Sequence, residues 1–125
     1  MSTYLGDELR NRLFDKHNKP DIFFDGDTPI PVDNWVHLSL TFVRWLIKHQ
    51  YLTGEKLPVP NHANRGKYFI SDRPCHEDPR KDADWQKING FFVDTKYNAD
   101  AHIKNILYAL ERLGVPRSLL RISIT

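Results

Sequence analysis

The feature that most constrains this chain is an apolar strand followed directly by an amphipathic helix. Residues 91–96 have the sequence FFVDTK, which predicts a strand. Asn98 is a suitable helix N-cap, and the apolar residues on one face of 99–113 predict a helix that ends at Gly114. Because each element has one apolar face, both must pack against further elements of a shared core.

Two more helices are predicted upstream. After Asp33, a suitable N-cap, residues 34–51 carry an apolar face so broad that the helix should be largely buried. Residues 4–17 contain leucines spaced four positions apart, and Lys19-Pro20 ends that pattern.

Short runs of β-branched and aromatic residues predict strands at 22–24, 29–32, 68–71, 91–96 and 120–124. The first two flank the turn sequence Asp25-Gly26-Asp27 and form a predicted hairpin. Residues 72–87 are rich in charge and proline, so we expect an irregular excursion anchored by Trp85. Residues 1–125 are therefore predicted to form a single two-layer α+β domain, with about three helices on a mixed sheet of about five strands.

The same periodicities predict which side chains form the core. The large apolar residues of the second helix should pack against the strands and the last helix. The predicted core residues are Trp35, Leu38, Phe42, Trp45 and Leu46 against Phe69, Phe92, Ile106, Leu110 and Ile122.

Composition excludes several classes of protein. The 40% of hydrophobic residues is too high for a disordered chain, and no apolar run reaches the roughly 18 residues that span a bilayer. The first residues lack the apolar region of a signal peptide, so we expect no membrane partner and a cytoplasmic location. Cys75 is the single cysteine, which excludes an internal disulfide and an all-cysteine zinc site.

Parts of the sequence resemble a known type of protein. Three segments resemble parts of a small uncharacterised bacterial α+β module. Its C-terminal strand–loop–helix is similar to INGFFVDTKYNADAHIKNILYALERLGV. Its Trp-led central helix is similar to VDNWVHLSLTFVRWL, and its middle strand to RGKYFIS. That module occurs alone or attached to larger proteins of restriction or phage-defence type. The resemblance covers about residues 22–124 and implies a bacterial origin and a defence or DNA-processing role, although the shared motifs are structural rather than catalytic.

The charge distribution permits a polyanion partner without requiring one, and a mixed solvated surface is the simpler interpretation of it. The net charge is +2, but residues 1–34 carry −3 and the remainder +5. Strand ends, loops and the start of the last helix hold the candidate phosphate-binding residues Arg65, Lys67, Arg73, Lys96, Tyr97 and Asn98. If strands 68–71 and 91–96 pair antiparallel, Arg65, Lys67 and Lys96 gather at one end and Arg73 lies at the other.

The leading hypothesis is therefore a module without catalysis of its own, which binds nucleic acid or a phosphorylated partner. The expected partners are DNA or RNA, or a larger protein of a defence system, and we expect no cofactor. A second hypothesis is a protein-interaction or dimerisation module, because three tryptophans and seven phenylalanines are enough to form an aromatic surface patch.

A third hypothesis is a metal-dependent nuclease of the PD-(D/E)xK type. Asp72, Asp94 and Lys96 follow the order of two metal-binding carboxylates and a water-orienting lysine. The absence of an obvious third acid other than Glu8, and of the usual glutamate, weighs against it.

Zinc-competent side chains occur at His62, Cys75, His76 and Glu77. Cys75 and His76 are adjacent, so their side chains diverge in an extended chain, and no second pair of ligands is present. We therefore expect no metal site and no catalytic cysteine.

Overall fold

Eight short strands form two separate antiparallel sheets in the computed structural model, which describes residues 2–125. The first sheet has the order β1-β8-β2-β3 and consists of β1 (Ser2–Leu5), β2 (Pro20–Asp25), β3 (Thr28–Pro31) and β8 (Arg121–Ile124). The second sheet has the order β4-β5-β7-β6 and consists of β4 (Val59–Pro60), β5 (Tyr68–Ser71), β6 (Trp85–Ile88) and β7 (Phe91–Asp94).

Helices α1 (Gly6–Leu9), α2 (Trp35–Lys48) and α3 (Ala99–Leu113) complete the fold, with short 3₁₀ turns at Gly54–Lys56 and Arg117–Leu119. The side chain of Asn34 caps α2 by accepting a hydrogen bond from the His37 N–H, so the cap lies one residue after the predicted Asp33. Asn98 caps α3 as predicted, and Gly114 ends it with φ 70°. None of the helices formed by the described residues has the length and apolarity needed to cross a membrane.

The core lies between α2, α3 and the inner faces of both sheets. Phe23 of β2 packs against two aromatic residues of α2, with ring centres 6.5 Å from Phe42 and 5.7 Å from Trp45. Eight of the ten predicted core residues are buried: Leu38, Phe42, Trp45, Leu46, Phe69, Ile106, Leu110 and Ile122.

The other two predicted core residues, Trp35 and Phe92, are half-buried. The prediction for Phe92 is wrong because alternate residues of a strand face opposite sides, and Phe91 and Val93 lie on the core side of β7. The outward ring of Phe92 lies beneath Lys87, whose Nζ is 5.7 Å from the ring centre.

The α+β class is confirmed, but the predicted mixed sheet of about five strands is wrong. Both sheets are antiparallel, and the sequence analysis missed β1, β4 and β6. The helix predicted over 4–17 is also wrong, because residues 2–5 pair with β8 and only 6–9 are α-helical. Leu13, placed on the predicted apolar stripe, is 83% exposed.

The β2–β3 hairpin forms as predicted. The last residues of the segment that was predicted to be irregular form strand β6 instead. Asn89 and Gly90 have φ of 49° and 89° and form a two-residue turn that pairs Ile88 with Phe91. The irregular excursion therefore ends at residue 84, and Trp85 begins β6.

Candidate functional site

The predicted antiparallel pairing of β5 and β7 is confirmed, with Ile70 opposite Val93 and Ser71 opposite Phe92. The pairing brings Lys67 to Tyr97, with its Nζ 4.8 Å from the centre of the tyrosine ring. Arg73 follows the opposite end of β5, as expected from the pairing.

Carboxylates accompany most of the predicted phosphate-binding cations. Lys96 binds Asp82, Lys67 Nζ lies 3.9 Å from Asp94 Oδ2, and Arg73 Nε lies 3.9 Å from Asp72 Oδ1. Arg65 is exposed, and the cavity beside it is lined by Glu77 and Asp78 together with Asn64, Gly66 and Pro79. This side of the molecule is therefore mixed in charge rather than basic.

Asp94 is fully buried and joins three segments of the chain. Its Oδ2 accepts a hydrogen bond from His76 Nε2 at 3.0 Å, and its Oδ1 accepts bonds from the backbone N–H groups of Asp84 and Lys96, each at 3.0 Å. The backbone N–H of Tyr68 donates to His76 Nδ1 at 2.8 Å, so the ring proton is on Nε2. Burial lowers the pKa of His76, and both ring nitrogens are engaged in fixing the 72–84 excursion to the second sheet.

The structure does not bring Asp72, Asp94 and Lys96 together. The side chain of Asp72 is 66% exposed at one end of the β5–β7 pair, whereas buried Asp94 lies at the other end and Lys96 turns to Asp82. Within residues 2–125, no group of three or more His, Cys, Asp or Glu side chains is arranged to hold a metal ion.

The zinc-competent residues are also dispersed. The backbone N–H of His62 donates to Asn105 Oδ1 of α3, while Cys75 is exposed and its Sγ donates to the His76 carbonyl. His76 itself is buried and held by Asp94.

A second buried polar cluster links the start of α3 to α2. The Asn61 amide donates to the Tyr97 hydroxyl at 2.9 Å, and burial raises the pKa of Tyr97. His102 is fully buried, and its Nδ1 lies 2.7 Å from Ser39 Oγ of α2. Burial lowers the pKa of His102 from 6.5 to about 4, so the ring is neutral at pH 7.

A longer depression follows the outward side of α2 and is here named the α2 groove. It consists of three adjoining cavities of about 460, 510 and 350 Å³. The first and second share Asp33 and Asn34, and the second and third share His37 and Arg44, so neighbouring cavities have lining residues in common. The last cavity is also lined by Asp25 and Ile30 of the first sheet and by Asn89 of the β6–β7 turn, beside Lys48.

The α2 groove is lined by four lysine and arginine side chains and two carboxylates: Lys16, Lys19, Arg44 and Lys48, and Asp25 and Asp33. Asp25 is bound by Lys48 at 2.6 Å and by His49 at 2.8 Å, and these contacts lower its pKa. In the part of the chain that the structure describes, Lys16, Lys19 and Arg44 make no ion pair.

Both long helices begin at the end of the groove that holds Lys16 and Lys19. The caps Asn34 and Asn98 line the same cavity, and the first turn of α2 contains no acid. Asp100 in the first turn of α3 is bound by Lys104 at 2.7 Å. Trp35 fixes the lysine-bearing loop there, because its Nε1 donates to the Asn18 carbonyl at 3.1 Å.

Of the residues predicted to bind phosphate, only Tyr97 and Asn98 line this groove. The basic residues of the groove were not predicted from sequence: Lys16, Lys19, His37, Arg44 and Lys48. A signal for part of the set is visible, because residues 37, 41, 44 and 48 recur at helical spacing on the polar side of α2.

Comparisons of the chain with models of protein families, with curated proteins and with solved structures find no match.

Proposed function

We propose that the chain is a non-catalytic module that binds nucleic acid along the α2 groove. The observation that carries the proposal is the run of unpaired cations, Lys16, Lys19 and Arg44, along adjoining cavities on one side of α2. Exposed cations without carboxylate partners are free to contact phosphates, and each contact releases counterions from the nucleic acid.

The length of the groove favours a polymer over a small anion. α2 has 14 residues and is about 21 Å long, given a rise of about 1.5 Å per residue. Lys16 and Lys19 lie at its start and Lys48 at its end, so one phosphate cannot contact both sets. A chain of regularly spaced phosphates can occupy the whole groove.

Helix electrostatics add to this attraction. The first turns of α2 and α3 carry partial positive charge from their free N–H groups and border the cavity that holds Lys16 and Lys19. The chain also resembles a module of restriction and phage-defence proteins. We therefore propose that it acts as an accessory module of a bacterial defence or DNA-processing system.

The test is binding of labelled oligonucleotides over a series of salt concentrations, measured by fluorescence anisotropy. Arg44→Ala should weaken binding and reduce the slope of log K against log salt by about 0.7–0.9, the value for one lost phosphate contact. Arg73→Ala is the matched control, because Arg73 is also exposed but lies on the mixed-charge side.

The two variants separate the two surfaces. A reduced slope in Arg73→Ala with an unchanged slope in Arg44→Ala would transfer the interface to the residues predicted from sequence. If wild-type protein binds no oligonucleotide even at low salt, the proposed function is wrong.

A further inference from the structure

We propose that the nucleic acid bound in the α2 groove is single-stranded, an inference that rests on the proposed function. The first ground is the depth at which α2 lies in the fold. Half of its fourteen residues are buried: Leu38, Ser39, Thr41, Phe42, Val43, Trp45 and Leu46. The unburied residues of α2 form its outward side, and the two cations on this side, Arg44 and Lys48, are exposed.

A helix placed in this way cannot read a duplex. Helices that recognise duplex DNA protrude from the protein and enter a major groove about 12 Å wide. The outward side of α2 instead lies beside Asp25, Ile30 and Asn89, which line the same cavity as Lys48. A flexible single strand can follow the adjoining cavities along the helix and reach both Arg44 and Lys48.

The second ground is the presence of aromatic rings beside the cations. Trp35 and Tyr97 line the cavity that holds Lys16 and Lys19, and both are half-buried. Lys67 Nζ already lies over the Tyr97 ring, so Trp35 is the ring that a base can stack on. Bases of a single strand are free to stack on aromatic side chains, whereas those of a duplex are already stacked on each other. Cations with neighbouring aromatic rings in one groove are typical of proteins that bind single strands without sequence preference.

The experiment compares four probes at equal total phosphate concentration on the wild-type protein: a mixed-sequence 12-nucleotide DNA strand, the same sequence as RNA, the blunt DNA duplex and inorganic polyphosphate. We expect at least one of the two single strands to bind tenfold or more tightly than the duplex and the polyphosphate. The DNA and RNA arms identify which single strand is preferred.

A substitution then tests the stacking contribution. Trp35→Leu should weaken single-strand binding several-fold more than it weakens polyphosphate binding. Loss of the ring affects only probes that carry bases, whereas any shift of the Lys16–Lys19 loop, which the Trp35–Asn18 hydrogen bond holds, affects both kinds of probe. Trp85→Leu is the matched control, because Trp85 begins β6 and does not line the groove. Circular dichroism of both variants establishes that the fold is retained.

The outcomes distinguish this inference from the proposal on which it depends. Duplex binding equal to or tighter than single-strand binding would overturn the single-strand inference and leave the proposed function intact. Polyphosphate binding as tight as that of either strand would overturn the role of the bases. Absence of binding to all four probes would overturn both proposals.

Discussion

Acid should destabilise this protein through His102, a histidine with no exposed surface at the interface of α2 and α3. Its pKa is about 4 in the folded chain, against 6.5 for an ordinary histidine, because burial disfavours the charged ring. Between these two values the unfolded chain binds a proton that the folded chain does not. Stability is therefore fully present above pH 6.5 and is lost as the pH falls towards 4.

The size of the effect follows from the difference in pKa. Each pKa unit corresponds to about 1.4 kcal/mol, so the loss from His102 between pH 7.5 and pH 5.0 is about 2 kcal/mol. Burial also lowers the pKa of His62 and His76, which adds to the loss in the same direction. The contribution of His102 must therefore be isolated by substitution.

The assay is urea unfolding at pH 7.5 and pH 5.0, followed by tryptophan fluorescence. His102→Asn keeps a polar side chain facing Ser39 but does not titrate, so its free energy of unfolding should fall by about 2 kcal/mol less than that of the wild type between these pH values. His17→Gln, which removes an exposed histidine, is the control. An equal loss in His102→Asn and the wild type would refute the assignment of His102 as a buried neutral group.

Four further predictions concern stability and chemistry. Leu110→Ala should lower the free energy of unfolding by about 2–5 kcal/mol, whereas Leu13→Ala, at an exposed site, should change it by less than about 0.5 kcal/mol. Gly6→Ala should cost about 1–3 kcal/mol in thermal or urea unfolding, because the added methyl group collides with the Arg117 carbonyl oxygen. Asp94→Ala should cost about 3 kcal/mol or more, because it leaves three donors unpaired, and exposed Asp72→Ala, the control, should leave stability nearly unchanged. Plasmid DNA incubated with the protein and Mg²⁺ or Mn²⁺ should remain intact, and cleavage that Asp94→Asn and Lys96→Ala both abolish would establish the nuclease hypothesis instead.

The elements predicted correctly from sequence are those specified by local signals. The apolar period and the caps of α2 and α3 lie within the helices themselves, and the β2–β3 turn is set by two residues. β1 was missed because its pairing partner lies about 120 residues away, and pairing with β8 overrides the helical leucine pattern that begins at Leu5. β6 had a local signal in Asn89-Gly90, a typical hairpin turn, which the charge-rich segment before it obscured.

The candidate site was harder to predict than the helices that form it. Tyr97 and Asn98 could be chosen because they precede a capped helix, and the stripe on α2 has helical spacing. Lys16 and Lys19 join the site through contacts that are distant in sequence, because Trp35 binds the Asn18 carbonyl and the Lys19 backbone pairs with Thr125. Local sequence contains no signal for such a contact, and the same holds for the carboxylates that accompany Lys67 and Lys96.

The position of β8 in the first sheet imposes an order on folding. Residues 59–94 contain every strand of the second sheet, so that sheet can pair while later residues are still being synthesised. β8 lies between β1 and β2, and neither of its pairings can form before residues 121–124 leave the ribosome. On a nascent chain β1 has no strand to join and β2 has only β3, which leaves the other edge of β2 unpaired. The first sheet should therefore close late, and the high contact order of its central pairings makes that closure the slow step of folding.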